Sequence, residues 1–308
     1  MLKTLFFNVA LTTLLCTAPA FAQTVADQID DPVILALPDG FAPDGITIAS
    51  DGTIYVASFF DGKIVRGSVG GSEISDVLVE GVADRPGWGM DIDDTEGRLF
   101  VAGGFSGTAR IYDAETGALD AEIELTDVGI VNDVIVTSHA AYFTNSSAPE
   151  VYEVPIDANG AVSGDVRTIT LTGDFQFDAE FFANGNGIVE ARDGVLIVNH
   201  SYLGKIYAID TATGIAKDIS LGQDIVSSDG IAIDGLTLFG TEPLENQVAE
   251  IELSGTLDDA RVVRRFTADI LDFPSLVALD DAYVYVVNAK LTTERSDNVT
   301  YHIVGFRR

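Results

Sequence analysis

Residues 228–235 read SDGIAIDG, two Asp-Gly pairs five residues apart. The second pair separates the apolar runs IAI and LTLFG, as a two-residue hairpin loop does, because Asp and Gly both tolerate φ > 0 there. The first pair stands at the mouth of a strand instead, and a repeat explains why. A short apolar stretch, a turn, a second apolar stretch ending in small or polar residues and a third strand-like run recur from Asp44, Trp88, Asn132, Asn186, Asp229 and Ser275. These starts lie 44, 44, 54, 43 and 46 residues apart, the spacing of propeller blades.

The runs are four to seven residues long, rich in Val, Ile, Tyr and Phe and bounded by Gly, Asp and Asn, which makes them strands. Segments such as ISDVLVE and LDAEIELT supply a fourth, outermost strand. A four-stranded sheet buries both faces only when packed radially against its neighbours. The sequence therefore predicts an all-β fold, a six-bladed β-propeller of four-stranded antiparallel blades occupying residues 23–308 as one domain. PVILALP, before Asp44, is expected to close the ring as a strand added to the last blade beside YHIVGF.

Residues 1–22 have one Lys, a long apolar run and the ending Ala20-Phe21-Ala22, the pattern of a secretory signal peptide cleaved after Ala22. This places the product in a periplasm or outside the cell. Cleavage removes Cys16, the single cysteine, so neither disulfide nor thiol chemistry is expected. No later run approaches the ~18 apolar residues of a membrane-spanning helix. With 48 acidic against 17 basic residues, the net charge of −31 disfavours nucleic acid and anionic lipid as partners. It favours cations where oxygen ligands converge. The expected partner is a small molecule, and a monomer is the default state.

If each innermost strand starts at one face beside the central channel, the six repeat starts meet there. Four of them, Asp44, Asn132, Asn186 and Asp229, carry carboxylate or carboxamide oxygens, which suit a hard divalent cation, Ca²⁺ ahead of Mg²⁺, Mn²⁺ or Zn²⁺. The bland alternative is that these residues cap strand starts as ordinary turn formers. Trp88, the single tryptophan, takes the equivalent place in the second unit, as an apolar wall or a channel plug. Loops between second and third strands would rim the mouth with Phe59, Phe60, Phe105, Asn145, Tyr202, Glu242 and Lys290, whether as substrate contacts or as inter-blade packing.

The units VNDVIV, GNGIVEARDGVLIV and SDGIAIDGLTLFG resemble the senescence marker protein, gluconolactonase and luciferin-regenerating enzyme family, with the paraoxonases as distant relatives. Across nearly all of residues 23–308, this resemblance implies a six-bladed propeller and a metal-dependent lactone or ester hydrolase. It also implies metal ligation by Asn132, Asn186 and Asp229, with Asp44 where the family usually has Glu. In that chemistry the metal polarises the carbonyl, water attacks, and Asp229 is the base; His200, after the second strand of the fourth unit, is a second candidate base. One departure is Ile130, where the sugar-lactone enzymes tend to carry Arg, and it points to a substrate less polar than gluconolactone. The rival expectation is a non-catalytic propeller that binds a peptide, glycan or protein, with a structural metal or none. A strictosidine synthase-like propeller lacking a hydrolytic metal is a third reading, opposed by the four retained ligands. Gly-x-Ser-x-Gly, His-Glu-x-x-His and phosphate-loop motifs are absent from the sequence, which argues against serine, zinc-protease and nucleotide chemistry.

Overall fold

A computed structural model describes residues 25–157 and 159–308; the expected signal peptide and its cleavage site lie outside them. The described residues form six sheets of four or five strands. Blades 1 to 6 begin with the inner strands Pro43–Ile48, Met90–Asp93, Val131–Val136, Ile188–Arg192, Ile231–Asp234 and Pro274–Leu279. Each inner strand runs away from what we term the top face, and the chain zigzags outward by antiparallel pairing. Loops joining second to third strands, and each blade to the next, therefore lie on top.

Six hydrophobic clusters hold the ring, one in each gap between successive blades. Blade 4 shows how the sequence achieves this. In its second strand, Val195–His200, Leu196 and Val198 enter the gap toward blade 3, whereas Ile197 enters the gap toward blade 5. Successive side chains of a strand point to opposite faces, so a strand buried on both faces reads as a continuous apolar run.

Ring closure follows the expectation from PVILALP. Val33–Ala36 pairs antiparallel with His302–Arg307 at the outer edge of blade 6. Two further pairings were not legible in the repeat: Asp27–Gln28 lies parallel to the outer strand of blade 5, and Thr172–Gly173 parallel to that of blade 4. The bottom face is tied off by Asp side chains. Asp51, Asp93, Asp113, Asp157, Asp210 and Asp280 each accept hydrogen bonds from backbone N–H groups two or three residues ahead. Part of the large negative charge is thus turn chemistry.

Leu35 of the closing strand is fully buried in the gap between blades 6 and 1. Leu35→Ala should lower the unfolding free energy by about 2–5 kcal/mol, measured by urea denaturation. A loss below ~0.5 kcal/mol, the range of ordinary surface substitutions, would show that the ring does not need this strand.

Candidate functional site at the top of the channel

The six inner strands crowd together where they begin. The Gly89 N–H donates to the Asn132 carbonyl (2.9 Å), that of Gly187 to Asp229 (3.2 Å) and that of Gly230 to Ser275 (3.1 Å), each crossing from one blade to the next. A side chain has no room at these points: a Cβ on Gly187 would sit 2.6 Å from Asn199 Oδ1 and 3.0 Å from the Asp229 carbonyl. This close approach is why Gly follows the first residue in blades 1, 2, 4 and 5. In blade 3 the place belongs to Asp133, whose N–H is held by Thr144 Oγ1 (3.1 Å); the same hydroxyl donates to the Asn186 carbonyl in blade 4 (2.7 Å).

The stitched ring brings predicted residues together. Asn186 Nδ2 donates to Asp229 Oδ1 (2.7 Å) and to Ser201 Oγ (2.9 Å), while Asn186 Oδ1 is buried without a partner. Asn132 Nδ2 donates to Ser146 Oγ (2.9 Å). Asp44 is buried; desolvation first, then the Asp229 carboxylate, raises its pKa well above the carboxylate range. The buried Ser275 hydroxyl opposes that shift without completing a hydrogen bond. Burial pushes Asp229 up to about 6, against the hydrogen bond from Asn186.

Two more carboxyls lie deeper. Below the ring the inner strands line a cavity of ≈ 220 Å³ whose side chains are apolar by type apart from Thr47, Asp91 and Asp133. Asp133 accepts from the Val134 and Ile188 N–H groups (2.9 and 3.2 Å), and desolvation raises it to about 7. Asp91 accepts from the Val136 N–H (2.8 Å) and Thr47 Oγ1 (3.3 Å) and is raised to about 6 by the same cause. Among the described residues none of these four carboxyls forms an ion pair with an arginine or lysine. The sequence reading missed both residues; the signal for Asp133 was an acid at a repeat position otherwise held mostly by Gly.

Other predicted residues fall into the supports of the top loops. Glu242 is buried and accepts from Arg265 Nε and Gln247 Nε2 (both 2.8 Å). Asn145 accepts from the Ile130 and Ser147 N–H groups and donates to the Tyr152 hydroxyl. His200 is fully buried beside Phe175, with Nδ1 accepting from the Leu203 N–H (3.3 Å) and Nε2 unpartnered; burial lowers its pKa, and no hydrogen bond joins it to Asn186 or Asp229. Trp88 is buried, stacks on Phe59 at 4.6 Å and donates from Nε1 to the Phe59 carbonyl. Phe60, Phe105 and Tyr202 are exposed at the rim, and Lys290 lies on the top loop of blade 6, with φ of 53°.

Among the described residues, no group of three or more His, Cys, Asp or Glu side chains is arranged to hold a metal ion. Any cation at the ring would depend on the two carboxamides as well as the two carboxylates. No helix among the described residues is long and apolar enough to cross a membrane.

No family model and no curated protein matches the sequence. Solved structures do match. The major allergen Mala s 1 of Malassezia sympodialis aligns with a TM-score of 0.65 at 12% identity, over 90% of this chain and 96% of that one. Virginiamycin B lyase from Staphylococcus aureus gives 0.59 at 13% identity, over 90% and 100%. A protein from Lactobacillus plantarum gives 0.58 at 17% identity, over 80% and 77%. At these identities the likeness carries the propeller fold, which catalytic and binding proteins share. The kinship to gluconolactonases remains a resemblance of short motifs.

Two outcomes test this geometry. Between the unfolded Asp value of ~3.9 and about 7 for Asp133, the folded protein holds the proton longer than the unfolded chain, so its stability falls as pH rises through that window. In chelator-treated protein, Asp133→Asn should flatten this decline in thermal midpoint; an unchanged pH profile would mean that Asp133 titrates normally. Glu242→Ala removes the buried carboxylate from Arg265 Nε while Asp224 (3.7 Å) and the Ile225 carbonyl (3.1 Å) stay beside the guanidinium, and should cost ~1–3 kcal/mol, read by denaturation. A fully stable variant would return Glu242 to the candidates for ligand contact.

Proposed function

We propose that the top of the channel binds a divalent cation and that the surrounding face binds a small organic ligand over it. The observation that carries this reading is Asn186 Oδ1, a buried amide oxygen without a partner, on the side chain that also reaches Asp229, whose charge in turn raises the cost of ionising Asp44. Buried carboxylates without counter-charge are expensive, and a cation between them removes that cost. Asp44 and Asp229 would contribute carboxylate oxygens and Asn132 and Asn186 amide oxygens, with water completing the shell. An all-oxygen set of this kind suits Ca²⁺ better than a metal that prefers nitrogen or sulfur. Asn186 would turn its amide so that Oδ1 replaces Nδ2 on the side of Asp229.

A second reading, hydrolysis of a lactone or ester at the same centre, is favoured by Asp229. It is partly exposed, whereas Asp44, Asn132 and Asn186 are buried, so it is the less buried of the two ring carboxyls. A bound cation would supply polarisation of the substrate carbonyl. Asp229 would take the proton from the attacking water. Ile130 is buried and offers its N–H to Asn145 rather than to a ligand. The site therefore lacks a charged donor for substrate hydroxyls there and fits a weakly polar acyl compound.

Calorimetric titration of chelator-treated protein with Ca²⁺ should show one site, weakened more than ~10-fold, or about 1.4 kcal/mol, in the Asp44→Asn/Asp229→Asn double variant. No binding of Ca²⁺, Mg²⁺, Mn²⁺ or Zn²⁺ at millimolar concentration would overturn the proposal. Turnover of aryl acetates and lactones that disappears on chelation would establish the hydrolase reading; cation binding without turnover across such a panel would leave a binding protein.

A further inference from the structure

The face that carries the polar ring also carries large exposed apolar side chains. Phe60, Phe105, Val128, Phe182, Tyr202 and Leu244, all on top loops, are between 43% and 79% exposed. The aromatic members are organised. Phe60 meets Phe59 edge-on at 4.9 Å, Phe59 stacks on Trp88, Trp88 meets Phe105 edge-on at 5.0 Å, and Phe105 meets Phe182 at 5.8 Å. The adjacent Phe181 stacks on Tyr202 at 3.5 Å. The resulting arc runs from Phe60 on blade 1 through the buried Trp88 to Phe105 on blade 2 and Phe182 on the loop that enters blade 4.

This arc is held in place from below. Arg110 is buried and donates to the Pro86 carbonyl (2.7 Å), Ser106 Oγ (3.0 Å) and Glu122 Oε1 (3.1 Å), fixing the chain on either side of Trp88 and Phe105. Asn184 is buried and donates to the Ser146, Asp178 and Phe181 carbonyls while accepting from the Asp178 N–H. That ties down the loop bearing Phe181 and Phe182. Exposed aromatic rings held rigidly are an arrangement for ligand contact, because little ordering entropy is lost on binding. The mouth's charge restricts the ligand further: the net charge of −31 disfavours an anionic group over the carboxyls beneath. Arg295, the cation seen on the arc, is already placed over the Phe60 ring at 4.6 Å.

We propose that the arc from Trp88 to Phe182 is a specificity site for an uncharged aromatic group of one or two rings, stacked against Phe105 and Phe182 at the channel mouth. This rests on the reading of the top face as the ligand-binding face and adds the ligand's class. The test compares 2-naphthol with its saturated counterpart, decahydro-2-naphthol, by calorimetry on the intact protein and on a Phe105→Leu/Phe182→Leu variant that keeps apolar bulk but loses the rings. The intact protein should bind 2-naphthol ~10-fold or more tighter. In the variant, with an unchanged thermal midpoint, the ratio should fall to about one. Equal affinities in the intact protein, or an undiminished ratio in the variant, would overturn the inference. Ca²⁺ binding without aromatic preference removes this inference and leaves the cation centre standing. Aromatic preference without cation binding does the reverse.

Discussion

The contact on which the propeller's centre depends is the approach of neighbouring inner strands at their first residues, closed by glycine N–H groups donating to carbonyls one blade further round. Those bonds require the absence of a side chain at the donor residue, which directly precedes the inner strand in blades 2, 4 and 5. Because the backbones touch, the first residues have nowhere to go but the mouth of the channel. The meeting of Asp44, Asn186 and Asp229 is thus a consequence of how closely the blades are packed.

The electrostatics follow from the same packing. In the bottom-face turns, donors lower carboxylate pKa values: the Thr116 and Thr213 hydroxyls and then backbone N–H groups for Asp113 and Asp210, and backbone N–H groups for Asp51 and Asp157. Along the channel the sign reverses, and burial raises Asp44, Asp229, Asp133 and Asp91. A chain that uses so many Asp residues cheaply at its bottom face pays for four of them at its axis. Such a cost is characteristic of functional sites, and a proton or a cation relieves it.

The repeat was legible because every blade is buried on both faces and so wrote the same apolar runs between Asp-Gly and Asn-Gly turns; even the closing strand showed as PVILALP. The ring positions were legible because a repeat maps sequence position onto radius and height. What escaped lies where the repeat is broken. The long interval between Asn132 and Asn186 holds the loop with Phe181, Phe182 and Asn184, and no other blade has a counterpart from which its path over the top face is inferable. Asp133 was hidden for the opposite reason, since it occupies a repeat position whose usual Gly makes the exception look like part of a turn. Glu242 and Asn145 were expected on top loops but end the second strands of blades 5 and 3, where Arg265 of the fourth strand and Tyr152 of the third hold them, contacts that a repeat pattern does not specify.

A crystal structure of the protein grown with Ca²⁺ addresses the central claim most directly, through the distances from any ion at the channel mouth to the surrounding oxygens. The account predicts a single ion at ~2.4 Å from side-chain oxygens of Asp44, Asn132, Asn186 and Asp229, with the Asn186 amide turned to present its oxygen. An ion-free mouth in which Asn186 Nδ2 still donates to Asp229, with calcium present in the crystal, would contradict it.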